Sequence, residues 1–270
     1  KVFGNLDLIG DGIVLPQAVA SEQLFADPAN YNAVPVILGT NRDEMKLFLS
    51  FSPDQVDSFM GIPIAIKNSG RYQAFSSYAS DQWKIKAVDQ LATVMRQGQG
   101  DNVFAYRFDA DDLRDFGFLS LQELMGAAHA FEIPYVFGNF VTLMSNLIHP
   151  ESARAARNAL SQSMMSYWAS FAHYGEPAKG YHGKQVEWRT WSNNDKQNRV
   201  MIFDTTLDRG IRMSPMKLQM QDLKQKFINE THFNDQQEHC QAYKLLFTNG
   251  DFIQSEYDNL GDNGCSEVGL

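Results

Sequence analysis

Positive charge is in short supply in this 270-residue chain: 23 Lys and Arg stand against 32 Asp and Glu, for a net charge of -9. Nucleic-acid phosphates need clustered Lys and Arg, so a nucleic-acid partner is excluded. Docking on an anionic membrane surface is excluded on the same ground. Apolar runs are also short. None approaches the ~18 residues of a membrane-spanning helix, so no transmembrane segment is expected. No leader-peptide pattern is visible. The chain opens at Lys1 without a methionine, in what reads as the middle of a strand-and-turn motif, and a processing or cleavage boundary is expected there. Internal repeats, low-complexity segments and long charge blocks are absent.

Cysteine is scarce, with Cys240 and Cys265 as the only two. Two readings stay open. A disulfide would staple the C-terminal tail and imply an oxidising compartment; otherwise these are two unrelated thiols. One glycosylation triplet, Asn229-Glu230-Thr231, leans towards a secreted or extracytoplasmic location. What the chain has in quantity is apolar surface, 44% hydrophobic and 12% aromatic residues, ample for a buried core.

Along the chain, Asp11-Gly12 signals a turn before Ile13-Val14-Leu15-Pro16, and residues 17–30 read as a helix ending near Asp27-Pro28. Residues 34–39 form a compact aliphatic run, as in a buried parallel strand, with Pro35 tolerated at its start. Residues 47–99 read as helical, broken at Pro53, Pro63 and Gly70. Residues 102–109 alternate as a second strand. Residues 151–174 carry apolar positions at helical spacing and stop at Gly175. Residues 199–204 read as a third strand, and 215–229 as a last helix with Pro215 near its start. Residues 233–270 read as a polar, loosely packed tail. This alternation predicts an α/β sheet covered on both faces, with reactive groups at the carboxyl ends of its strands. Glu44 falls at that end of the first strand.

A serine hydroxyl is a weak nucleophile near neutral pH. It needs a base within hydrogen-bond reach, and the base needs a carboxylate to fix its tautomer and stabilise the imidazolium. Glu44 and His129, in that order, suit the acid and the base, with the serine expected upstream. No G-x-S-x-G occurs in the chain, and oxyanion-hole glycines are missing. Gly264-Cys265-Ser266 is the nearest lookalike, but the spacing is wrong.

Four segments carry a resemblance to a known family. They are Asp11-Gly12-Ile13-Val14-Leu15-Pro16, the strand-to-acid stretch from Val34 to Glu44, the histidine segment from His129 to Gly138, and Tyr167 to Pro177 followed by Trp188 and Trp191. In this order they resemble the C-terminal half of a type-B carboxylesterase, the family of the cholinesterases and related lipases. The resemblance covers residues 1–210. It implies the α/β-hydrolase fold, with this chain as the C-terminal portion of the parallel sheet plus a helical insertion at 47–99, and with the N-terminal half absent. The catalytic portion spans 1–232 and the tail 233–270. Glu44 is implied as triad acid, His129 as base, and Glu132 as a buried carboxylate beside them. Leu47 and Phe48 share a helix face with Glu44. Together with Phe131 they are candidate lining for an apolar substrate gorge. The family usually has glycine after both the acid and the histidine, where this chain has Met45 and Ala130. Either replacement is harmless only if the local φ is negative.

The function expected is serine carboxylester hydrolysis through an acyl-enzyme, without cofactor. The partners expected are a carboxylic ester substrate and an N-terminal segment of the same enzyme bearing the serine and oxyanion hole. Alone, the chain is expected to be inactive and poorly stable, because half a sheet leaves a strand edge unpaired. The rival reading is a non-catalytic cholinesterase-like adhesion or binding module. A metal-dependent hydrolase is weaker: His129 and Glu132 stand three apart, but zinc needs three or four ligands and no further cluster is seen.

Overall fold

The computed structural model describes residues 11–14, 22–141, 147–248, 250–261 and 264–266. Leu15-Pro16 and the first part of the 17–30 helix lie outside them. The Asp11-Gly12 turn is present: Asp11 Oδ1 accepts from the amides of Ile13 and Val14 at 2.8 and 2.9 Å.

Helix α1 (Glu22–Ala26) and a 3-10 turn lead into strand β1 (Val36–Asn41). A one-turn helix α2 (Lys46–Leu49) follows, then a hairpin of β2 (Val56–Phe59) and β3 (Ile62–Ile66). Helix α3 (Ser69–Lys84) continues through a π-helical stretch (Ile85–Gln90) into α4 (Leu91–Gln99) and on to β4 (Val103–Phe108). Beyond β4 come the short helices α5 (Leu121–Leu124) and α6 (Ile133–Phe137), and the long α7 (Arg154–Tyr174). Strands β5 (Val200–Phe203) and β6 (Arg212–Ser214) precede three helices: α8 (Met220–Ile228), α9 (Gln236–Leu246) and α10 (Gln254–Asp258).

The main sheet runs β1-β4-β5-β6, with the first three strands parallel and β6 antiparallel to β5. The two-residue period of a strand sorts its side chains to opposite faces. Phe104 and Phe108 of β4, with Met201 and Phe203 of β5, pack on Leu160, Met164 and Tyr167 of α7 and on Trp188. Val103 and Ala105, with Val200 and Ile202, pack on Val88, Ala92, Met95 and Trp191. The sheet is therefore covered on both faces, as the alternating pattern predicts. Gly39 is required by close approach: it pairs with Tyr106, and a Cβ there would run into the tyrosine ring. Among the described residues, β1 has one sheet neighbour, so its other edge is open.

The structure corrects three readings. Residues 47–99 are not continuously helical, because residues 56–66 form the β2-β3 hairpin. Its two-residue turn uses Met60 (φ 52°) and Gly61 (φ 79°), the left-handed pair that hairpin turns require. Pro63 belongs to that hairpin, and Gly70 sits in the first turn of α3, which Asn68 caps by accepting from the Arg71 amide. The helix expected at 215–229 starts at Met220 and is not the last. The segment from 233 onwards is no loose tail: Cys240, Tyr243, Leu246, Phe247, Tyr257 and Leu260 join Tyr78, Ile85, Leu223 and Phe227 in one buried cluster. Strand β6 had no sequence signal beyond three residues. Long helix α7 ends as expected at Gly175, which is left-handed and donates its amide to the Phe171 carbonyl.

Cys240 and Cys265 form a disulfide, with Cα atoms 5.6 Å apart and a sequence separation of 25. A loop of this length loses enough unfolded-state entropy on cross-linking to be worth about 3 kcal/mol. Reduction, or Cys265→Ser, is expected to lower the urea midpoint of the unit built from α8, α9 and α10, while the sheet amides keep their protection. Hydrogen exchange read by mass spectrometry would check both.

Candidate active site

Where β1 ends, the chain turns sharply through residues 42–45. This turn buries the carboxylate of Glu44 (5% exposed) at the strand's carboxyl end. One of its oxygens, Oε1, accepts from the Asn41 amide at 2.7 Å and from Thr40 Oγ1 at 3.2 Å. The other, Oε2, lies 2.7 Å from His129 Nδ1. Ionised Glu44 can only accept, so the contact puts the imidazole proton on Nδ1 and leaves Nε2 as the basic nitrogen. The His129 side chain is 41% exposed, so Nε2 belongs to a ring that solvent or a substrate can reach.

A second set of contacts holds the histidine loop against the acid turn. The Asp43 amide donates to the Ala127 carbonyl, and the Ala127 amide donates back to Asp43 Oδ2, both at 3.0 Å. Gly126 (φ 51°) lets the loop come this close, because a Cβ there would strike the Asp43 carboxylate. Asn41 Nδ2 donates to the Ala128 carbonyl at 2.6 Å and to Glu132 Oε2 at 2.5 Å. The buried charges are balanced: Asp43 pairs with Arg42 (2.9 Å) and Lys46 (3.4 Å), and Arg42 reaches Asp111 (2.5 Å). Burial alone would raise the Asp43 pKa, but the charges of Lys46 and Arg42 and the Ala127 amide outweigh it and hold it below the ordinary value.

Aromatic rings flank the imidazole. Phe48 of α2 has its centroid 5.4 Å from the His129 ring, and Trp83 of α3 lies at 5.5 Å. Trp83 is a neighbour of His129 that the sequence analysis does not single out; nothing local marks a tryptophan 46 positions before a histidine as its partner. Leu47 is half-buried beside Phe48. Phe131 is partly buried and packs against the aromatic core that contains Phe108 and Tyr135. Glu132 is half-buried, less enclosed than expected, and reaches the site through Asn41. The two departures from glycine have opposite fates. Met45 has φ -76°, which any residue accepts. Ala130 has φ 67°, in the left-handed region.

The remaining histidines stay away from this site. His149 is buried against Tyr135 and Phe140, and burial with nearby Arg157 lowers its pKa to about 4. His239 Nε2–H donates to the Phe227 carbonyl, and burial lowers its pKa too. His232 pairs with Glu230, while His173 and His182 pack on surface tyrosines. Asn229 is exposed at the end of α8. Among the described residues no group of His, Cys, Asp and Glu is arranged to hold a metal ion. In the same residues, no helix is long and apolar enough to cross a membrane.

Parallel strands crossed by helices, with a glutamate and a histidine meeting at a strand's carboxyl end, have the α/β-hydrolase architecture. The chain belongs to the carboxylesterase family, whose sequence profile matches residues 65–227. That match includes His129 and begins downstream of Glu44. The para-nitrobenzyl esterase of Bacillus subtilis (strain 168) is 25% identical over 195 residues, or 66% of this chain and 36% of that enzyme. The bile salt-activated lipase of Bos taurus is 35% identical over 72 residues, or 26% of this chain and 11% of the lipase. The crystal structure of a Geobacillus stearothermophilus carboxylesterase superimposes with a TM-score of 0.50 at 19% identity, covering 76% of this chain and 42% of that one. The chain therefore spans only about a third of the length of the B. subtilis relative.

Two outcomes test the scaffold of the site. Asp43→Asn leaves Lys46 and Arg42 without their shared partner and is expected to cost about 2–4 kcal/mol at pH 7. Because the folded pKa of Asp43 is depressed, its contribution is present above the ordinary carboxylate range and vanishes as pH falls through the depressed value. The gap between variant and wild type in urea midpoints should close accordingly on acidification. Ala130→Gly relieves a left-handed alanine and is expected to raise stability by about 0.5–1 kcal/mol, with an unchanged denaturant slope.

Proposed function

We propose that this chain supplies the acid and the base of a Ser-Glu-His triad in a carboxylic ester hydrolase. The observation that carries the reading is the 2.7 Å contact between Glu44 Oε2 and His129 Nδ1. It orients an imidazole whose other nitrogen belongs to a partly exposed ring. The nucleophilic serine and the oxyanion hole come from a segment of the same enzyme preceding Lys1, which would also pair with the open edge of β1.

In this mechanism His129 Nε2 takes the serine proton as the hydroxyl oxygen attacks the ester carbonyl. The imidazolium then protonates the leaving alcohol, and the C–O bond to it breaks. Water, deprotonated by the same nitrogen, attacks the acyl-serine and releases the acid. Glu44 holds the tautomer and offsets the charge that forms on the ring. Phe48 and Trp83 present apolar surface beside it, which suits an ester. The Cys240–Cys265 disulfide and the exposed Asn229-Glu230-Thr231 triplet support a secreted or extracytoplasmic location.

The test uses the full-length enzyme. A fluorophosphonate should label one upstream serine. His129→Ala and Glu44→Gln should each lower kcat for p-nitrophenyl acetate by about 10⁴-fold with native thermal unfolding. The side-chain amide introduced by Glu44→Gln can donate as well as accept, so it no longer enforces the Nδ1–H tautomer. Turnover by His129→Ala within tenfold of wild type would sink the assignment, and so would a fluorophosphonate that labels nothing.

A further inference from the structure

Beside the candidate triad runs an apolar cleft of about 480 Å³. Its walls are Phe75, Ala79 and Trp83 of α3, Ala87 of the π-helical stretch, Leu245 and Leu246 of α9, and Met45. Two of these residues tie the cleft to the site. Trp83 packs on the His129 ring, and Met45 directly follows Glu44. The polar residues at the cleft, Gln82 and Lys86, both engage Asp251, which follows α9: Lys86 by a salt bridge and Gln82 at 3.5 Å. Leu245 is 68% exposed, so α9 offers aliphatic surface to this space. Two other clefts, near Asp89 and Leu218 and near Arg189 and Lys196, share no residue with the site.

Resting on the esterase reading above, we infer that this cleft binds the hydrocarbon part of the ester, and that α9 sets the chain length the enzyme prefers. Helix α9 lies beyond the 65–227 family match. The selectivity is thus assigned to a segment beyond that match, held by the Cys240–Cys265 disulfide. Each methylene moved from water into such a cleft adds binding free energy, so a longer chain gains until the cleft is full. Leu245→Asp would place a charge against that chain.

The experiment compares kcat/KM of the full-length enzyme for p-nitrophenyl octanoate and for octyl acetate, each relative to its two-carbon counterpart, p-nitrophenyl acetate and ethyl acetate. The first pair places the chain on the acyl side and the second on the alcohol side. Leu245 is at the surface, so Leu245→Asp and Leu245→Ala should keep the wild-type unfolding midpoint. For at least one pair, the long-to-short ratio should fall about tenfold in Leu245→Asp and about threefold in Leu245→Ala. The pair that responds assigns the side of the ester. His129-dependent turnover with both ratios unchanged in both variants would overturn the inference and leave the triad standing. Loss of His129 dependence in the wild-type background would remove both together.

Discussion

One short contact organises this region: a buried carboxylate at the end of a parallel strand held 2.7 Å from an imidazole on a distant loop. Neither group is useful without the other. The carboxylate is taken out of water by the turn at 42–45 and must find donors there, which it does in the Asn41 amide, Thr40 and His129. The imidazole in turn gains a defined tautomer. What makes the contact persist is the layer beneath it. The Asp43 amide on the Ala127 carbonyl, the Ala127 amide on the Asp43 carboxylate, and the Asn41 side-chain amide spanning Ala128 and Glu132 fasten the two loops together.

That fastening explains two features of the local sequence. Gly126 is needed because the loop passes within contact of the Asp43 carboxylate at positive φ. Ala130 takes a left-handed conformation one residue after His129, so some strain sits directly beside the base. Met45 bears no such strain, and its side chain instead faces the apolar cleft. The two positions where the resembling family has glycine therefore differ in kind. One is a backbone cost, and the other is a change in the shape of the surroundings.

Much of the fold was legible because its signals are local. The aliphatic run ending at Asn41, the alternation from Val103 to Phe108, and the helical spacing ending at Gly175 each carry their own period and stop signal. The readings that went astray lacked one. The β2-β3 hairpin hides its turn, because Met60 occupies a left-handed position that Asn or Gly usually marks. The C-terminal helices are polar on their outer faces, and what makes them stable is the inner face they share with Tyr78, Ile85 and Phe227. Such burial depends on partners far away along the chain and leaves little periodic trace in a short segment.

The candidate site divides in the same way. Glu44 and His129 stand out in the sequence because each sits in a motif: a polar end to an apolar strand, and a histidine among small residues. The pairing of Cys240 with Cys265 could only be left open, since two thiols say nothing about their separation. Trp83 beside His129, Phe131 against the aromatic core, and a C-terminal helix lining the cleft came from the tertiary structure alone. A residue's type and its neighbours determine which chemistry it can do and which local shape it prefers. Which surfaces it meets is settled by long-range packing, where no single segment holds the information.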